Sequence, residues 1–300
     1  MTQAATPHSP QHEGTTARAA LASADHRLAA AGSVLERHVA QGPSRLLDDE
    51  TVTRVGALAA DLAAQLVGPD AALVEPVRDL LAANRAILMH LHALAIETRL
   101  VAVLAARRSI DPALPPLIRH RLDAGAVGDD VATATTALLA AQTRLNQSLR
   151  RMRLPLRELP PDLQHLAHAI ADAARADHAV VDRHPRDRAH DEGHGRLALL
   201  RRVLAGLGDD MARALRIDEA GVALFLSALA LASAQPREVV ALASAEDHPV
   251  RLALLLRAAG LNRDEAVAQL LAIRPDADPA LVALADDAHA AERLLGGHAR

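Results

Sequence analysis

His165, His168 and Asp172 stand three and four residues apart in the segment LQHLAHAIAD. On a helix that spacing places all three side chains on one face, where two imidazoles and a carboxylate could form a two-His-one-carboxylate metal site. The opposite side of the same helix carries Leu163, Leu166, Ile170 and Ala174. The competing reading is therefore the solvated polar face of an amphipathic helix. No further ligands are identifiable nearby in the sequence, and a working site needs a shaped cavity with open positions.

A second set is His190 and Asp191 in the string HDEGH, which resembles the adjacent His-Asp pair of the HD-type metal phosphohydrolases. In that family an apolar helix precedes the pair. Here Pro185, Arg186, Asp187 and Arg188 precede it, the setting of a His-rich solvated linker. Together His165, His168, Asp172, His190 and Asp191 are the metal candidates, and they define the alternative function, a metal-dependent hydrolase using residues 165–194. His90 and His92 are two apart on a helix, so they point about 200° from one another and cannot grip one ion together.

Most other chemistries are excluded by residue type. The chain has no cysteine, hence no thiolate nucleophile, disulfide or cysteine-ligated metal. All 33 basic residues are arginine, so no lysine is present to form a Schiff base. No G-x-S-x-G elbow, phosphate-binding P-loop or G-x-G-x-x-G turn occurs. No catalytic residue, cofactor-binding residue or cofactor is assigned.

Arg144, Arg150, Arg151, Arg153 and Arg157 form a local basic cluster at a helix C-terminus. Nucleic-acid binding would use such charge, but single-strand binding usually adds aromatic stacking, and none is available here. The net charge of −4 also provides no extended positive field. Complementing the helix macrodipole, worth about 0.3–1 kcal/mol, is the favoured role, and no nucleic-acid partner is expected.

The elements that must position these groups are helices. Half of the residues are hydrophobic, yet Phe225 is the sole aromatic one, so the core must be built from Leu, Val and Ala. Ala and Leu are the strongest helix formers, and no segment alternates with period two. The arginine-for-lysine bias is read as the mark of a GC-rich coding genome. Val52, Val55, Leu58, Leu62 and Leu66 predict a helix after Asp48 and Asp49. A single long run is expected from Asp70 through NRAILMHLHALAIETRLVAVLAARR to Asp111-Pro112, apolar around most of its circumference. Further helices are expected at 112–124, at about 129–152, ending before Pro155, and at 161–182.

The charged stretch DRHPRDRAHDEGHG then suggests a boundary. Beyond it shorter helices are predicted at 196–207, 209–216, 218–234, 236–245, 248–259, 263–273 and 279–295, with Asn262 and Glu265 at capping-box spacing. ALFLSALALASAQPREVVAL and ALLLRAAGLNRDEAVAQL are similar once a small gap is allowed, which suggests two stacked hairpins. The expected organisation is a disordered lead over 1–15, a bundle over 16–182, a polar linker over 183–195 and a hairpin domain over 196–300.

The segments HLHALAIETRLVAVLAARRSIDPALPPLI, LLAAQTRLNQSLRRMRLPLRELPPDLQHLAHAIAD, RIDEAGVALFLSALALASAQPREVVALA and LALLLRAAGLNRDEAVAQLLA together resemble the bacterial family called domain of unknown function 2336, over most of residues 45–275. That resemblance implies an all-helical, chiefly alphaproteobacterial protein with a partly HEAT-like arrangement, and it brings no catalytic residues. Over residues 1–180 the chain lacks the run of Asp-x-x-x-x-Val-Arg elements of more typical members.

The expected fold is all-α: an N-terminal antiparallel helical bundle followed by shorter stacked helical hairpins, partly HEAT-like. The N-terminus shows no signal pattern, and the apolar stretch Ala220–Ala234 is shorter than the roughly 20 residues of a membrane span. A cytoplasmic protein with no membrane partner is expected. Its leading function is a non-enzymatic scaffold or regulatory module whose partner is another protein, with self-association into a homo-oligomer as an addition.

Overall fold

The computed structural model describes residues 18–26, 49–123, 129–177 and 195–296. Among them every regular element is helical, and no strand occurs, so the fold is all-α. In chain order the α-helices are α1 (18–26), α2 (Asp49–Val67), α3 (Val74–Ala83), α4 (Arg85–Arg108), α5 (Pro116–Asp123), α6 (Asp129–Arg150), α7 (Pro161–Asp177), α8 (Arg196–Ala205), α9 (Met211–Ala214), α10 (Ile217–Ala232), α11 (Arg237–Ala243), α12 (Val250–Ala258), α13 (Arg263–Ile273) and α14 (Ala288–Gly296). Short 3-10 turns cover Ala71–Leu73, Leu156–Glu158, Gly208–Asp210 and Pro279–Leu284.

The expected single run from Asp70 to Asp111 is two helices and a lead-in turn. Asn84 breaks it, with φ −84° and ψ 113°, and its side chain accepts hydrogen bonds from the Ala86 and Ile87 backbone amides. An asparagine whose oxygen can serve orphan amides is a better helix start than a helix interior. The run stops at Arg108, where Ser109 is left-handed. The helix expected over 279–295 is likewise divided: a 3-10 turn ends at Leu284, and the Asp287 carboxylate accepts from the Ala290 amide to start α14. The capping box at Asn262 and Glu265 is present, with both reciprocal bonds made.

The chain forms two compact units, residues 31–228 and residues 1–30 with 229–300. In the first, α2, α3, α4 and α7 enclose one apolar core that includes Val55, Leu58, Leu62, Leu81, Leu91 and Ala167, with Leu145 and Leu149 of α6 joining it. α4 is long and apolar enough to cross a membrane by length and composition, and 61% of its apolar stretch is buried within the protein. In the second unit, Leu21 of α1 packs with Val250, Leu254, Ala258, Ala285, Ala291 and Leu294. The expected disordered lead, Asp48, and all of the expected linker except Gly195 lie outside the described residues. α8, which follows that linker, packs with α6 in the first unit, so the division into units does not fall at 183–195.

The two similar sequence segments fold into turns of one type. In the first, the Ala234 amide donates to Leu231 O and the Gln235 amide to Ala230 O. In the second, the Gly260 amide donates to Arg257 O and the Leu261 amide to Leu256 O. Ala234 and Gly260 both have positive φ, 52° and 86°, and each precedes a helix starting at arginine, Arg237 or Arg263. These are matching Schellman-type endings.

α10 is interrupted at Gly221, whose φ of 68° and ψ of 171° belong to a region open essentially to glycine alone. A Cβ there would sit 3.1 Å from Pro115 Cβ. Gly221→Ala should therefore destabilise the protein by about 1–3 kcal/mol. Urea unfolding followed by circular dichroism measures this, and adding Pro115→Ala should recover only the contact part of the loss.

Candidate functional site

α7 begins at Pro161 with Asp162 in its first turn and presents His165 to solvent, with His168 and Asp172 half-buried further along. The three do share a helix, but Asp172 is engaged by Arg175 at 3.1 Å. Among the described residues no group of three or more His, Asp or Glu side chains is placed to hold a metal ion. His190 and Asp191 lie outside the described residues. The buried face of α7 is not wholly apolar, for it includes Gln164 and Arg175 beside Leu163, Ala167, Ala171 and Ala174. Arg175 also donates to Leu66 O, serving a carbonyl in the last turn of α2 that has no partner within its own helix.

Arg144, Arg150, Arg151, Arg153 and Arg157 are all exposed around the end of α6 and the loop after it. A carbonyl in the last turn of that helix, Leu149 O, accepts from Arg54 of α2 at 3.1 Å.

The charged centre of the first unit is a pair that residue spacing did not nominate. Arg196, the first residue of α8, donates Nη1 to Glu97 Oε1 at 2.7 Å and Nη2 to Glu97 Oε2 at 3.1 Å. Its Nη1 also donates to Gln142 Oε1 at 3.1 Å, and Gln142 Nε2 donates to Asn146 Oδ1 at 3.1 Å along α6. Arg196 and Glu97 are 3% and 4% exposed, so solvent does not screen the pair. Burial alone would lower the Arg196 pKa, but the Glu97 carboxylate, with a smaller contribution from Glu158, raises it above the ordinary value. Arginine at a helix N-terminus opposes the macrodipole, and no acidic residue stands in the first turn of α8. Glu97 supplies the compensating charge from α4. The available signal was Glu97 itself, a lone acid within the apolar sequence ALAIETRLVAVLAA, since such a group must find a partner when buried.

Gln142 also lines a cleft formed with Pro112, Pro115, Ile118, Leu138, Leu200 and the segment Gly221–Leu224. Its wall at 111–115 is fixed by Asp111, whose carboxylate accepts from Leu114 N at 2.9 Å and Ala113 N at 2.8 Å. Those backbone bonds hold the Asp111 pKa below the usual carboxylate value. The cleft has about 340 Å³ of empty space, part of it open solvent. His92, on α4, is neutral near pH 7, because burial lowers its pKa to about 4.

Fold and site together define an all-α protein whose buried charges bind helix to helix. No family model, curated protein or solved structure matches the chain.

Two measurements follow from these charges. Glu97→Ala leaves Arg196 buried without its carboxylate and should cost about 3–5 kcal/mol in urea unfolding. The double variant Glu97→Leu, Arg196→Leu should cost less, and an equal loss would show that unpaired charge is not the cause. For His92 the unfolded imidazole takes its proton near pH 6.5 and the folded one at about 4, so the unfolded state binds more protons between these values. Its contribution is complete above pH 6.5 and is lost as pH falls towards 4. Between pH 7 and 4.5 the wild type should lose about 2 kcal/mol more than His92→Gln.

Proposed function

We propose that the chain is a non-enzymatic interaction protein, a scaffold or regulatory module that binds another protein along its helical hairpins. The observation that carries this reading is the pair of matching turns at Ala234 and Gly260, each joining an apolar helix to one that begins at arginine. Successive hairpins of one geometry stack into extended surfaces suited to protein partners, the arrangement of α-solenoids. Sequence offsets agree with it: 223 to 253 is 30 residues before the turns, and 237 to 263 is 26 after them. The difference of four is about one helical turn, which a repeat absorbs by lengthening one helix.

The resemblance to the domain of unknown function 2336 family supports the same partly HEAT-like reading, and we assign the chain to it as part of the proposal. The absence of cysteine suits a cytoplasmic setting. The buried charges add indirect support, because Glu97, Arg175 and Arg196 serve neighbouring helices rather than an enclosed cavity.

The test is capture from native extract with the full chain as bait, followed by light scattering of the recombinant pair. A defined complex heavier than the 31.6 kDa chain is expected. An extract from which nothing specific is retained counts against the reading. For the chain alone, a mass that stays at 31.6 kDa at high concentration would dismiss self-association.

A further inference from the structure

The arginine cluster at the end of α6 exceeds what that helix end uses. Ser148 O accepts from the Arg151 and Arg153 amides, and Leu149 O accepts from the Met152 amide and the Arg54 side chain. These carbonyls are served without the side chains of Arg144, Arg150, Arg151, Arg153 or Arg157, all of which are exposed. Among the described residues no carboxylate lies within ion-pair distance of the first four, and Arg157 reaches Glu158 only at 3.9 Å. Elsewhere the protein sets guanidinium groups on carboxylates, as in Arg78 with Glu75, Arg196 with Glu97 and Arg213 with Glu219.

The acids whose contacts place them beside the cluster are engaged with other groups. Glu50 holds Arg54, and Asp61 accepts from Leu154 N and Gln65 Nε2. The Glu158 side chain is 6% exposed, and its charge acts on the buried Arg196. The arginines also stand on a fixed backbone. Met152, between two of them, has a φ of 56°, in the left-handed region that residues with side chains seldom adopt. Past it Leu154 is fully buried, Asp61 and Gln65 of α2 bind its amide and carbonyl, and Leu156 N donates to Gln65 Oε1. A backbone held on both sides of the turn has little loop entropy left to lose when a partner docks.

Guanidinium groups that are concentrated, fixed and uncompensated select an anion, and their planar fork pairs with a carboxylate through two bonds at once. Single-stranded nucleic acid would also call for exposed aromatic rings, whereas Phe225, the one aromatic residue, is fully buried. We propose that the end of α6 and the loop through Arg157 form a docking site for an acidic segment, rich in Asp and Glu, of a partner protein. The proposal takes the kind of partner from the interaction-protein reading and assigns its contact to residues 144–157 rather than to the hairpins.

The experiment uses the full chain and, as probe, a capped fluorescent poly-glutamate peptide. Arg150→Gln, Arg151→Gln, Arg153→Gln and Arg157→Gln together should weaken binding at least about tenfold, the combined effect of four exposed ion pairs. Added salt should weaken wild-type binding as well. A control with Arg107→Gln, Arg108→Gln, Arg201→Gln and Arg202→Gln removes four equally exposed arginines, so it carries the same net charge and should bind like wild type. Equal binding by the two variants, or no binding by wild type, overturns the proposal. A single-stranded oligonucleotide or anionic vesicles binding more tightly than the peptide would overturn it too. Should the first variant not fold, hydrogen exchange on wild type decides: the peptide is expected to slow exchange of the amides at 150–159, and unchanged exchange there overturns the site. A partner captured equally by wild type and the first variant removes this site alone, whereas the scaffold reading falls only if nothing is captured.

Discussion

The first unit depends on placing two charges where no water can reach them. Glu97 and Arg196 come from helices 99 residues apart in sequence, and their paired oxygens and nitrogens meet at 2.7 and 3.1 Å. A bidentate pair is exacting, because a shift of one residue along either helix separates both bonds. Leu and Ala surfaces are less exacting, since apolar packing is non-directional and tolerates repacking. With one aromatic residue in the whole chain there are few large side chains to fix a unique register. The buried pair, extended through Gln142 to α6, does so, at the cost that neither charge can be removed alone.

Arginine elsewhere extends the same logic to helix ends. Arg54 reaches Leu149 O, Arg121 reaches Gly206 O, Arg175 reaches Leu66 O, and Arg257 reaches Leu261 O and Asp286 O. Most of these carbonyls belong to, or lie just past, the last turn of a helix, where four acceptors lack partners within their own helix. The planar guanidinium offers five donors on a long stem and keeps its charge when partly buried, so it can complete a neighbouring helix and complement its dipole together. A composition that reads as codon bias thus has a structural use. Two polar residues of α2 do the same for a loop: Asp61 accepts from Leu154 N, while Gln65 donates to Leu154 O and accepts from Leu156 N.

Helix content was legible because Ala and Leu supply both propensity and periodicity, and the starts at Pro161 and Asn262 followed from local chemistry. The break at Asn84 was not, since the apolar spacing continues across it and only the asparagine side chain marks the interruption. Site reading failed for a related reason. Residues such as His165, His168 and Asp172 attract notice because they are close in sequence, whereas the pairing of Glu97 with Arg196 is a product of tertiary packing. Half of that pair was visible, as an acid embedded in an apolar helix, but its partner could be chosen only after the helices were placed.

The second unit is assembled differently, from segments at the two ends of the sequence. Asp25 and Arg251 are 226 residues apart, and residues 1–30 join 229–300 in one compact unit. Loop-closure entropy grows only as the logarithm of separation, so so long a closure costs little more than a moderate one. By contrast, α12 and α14 lie within 50 residues of each other and meet in the same core, and α13 packs on α12. The packing of α12 on α13 and α14 joins residues close in sequence, so it does not depend on that long closure.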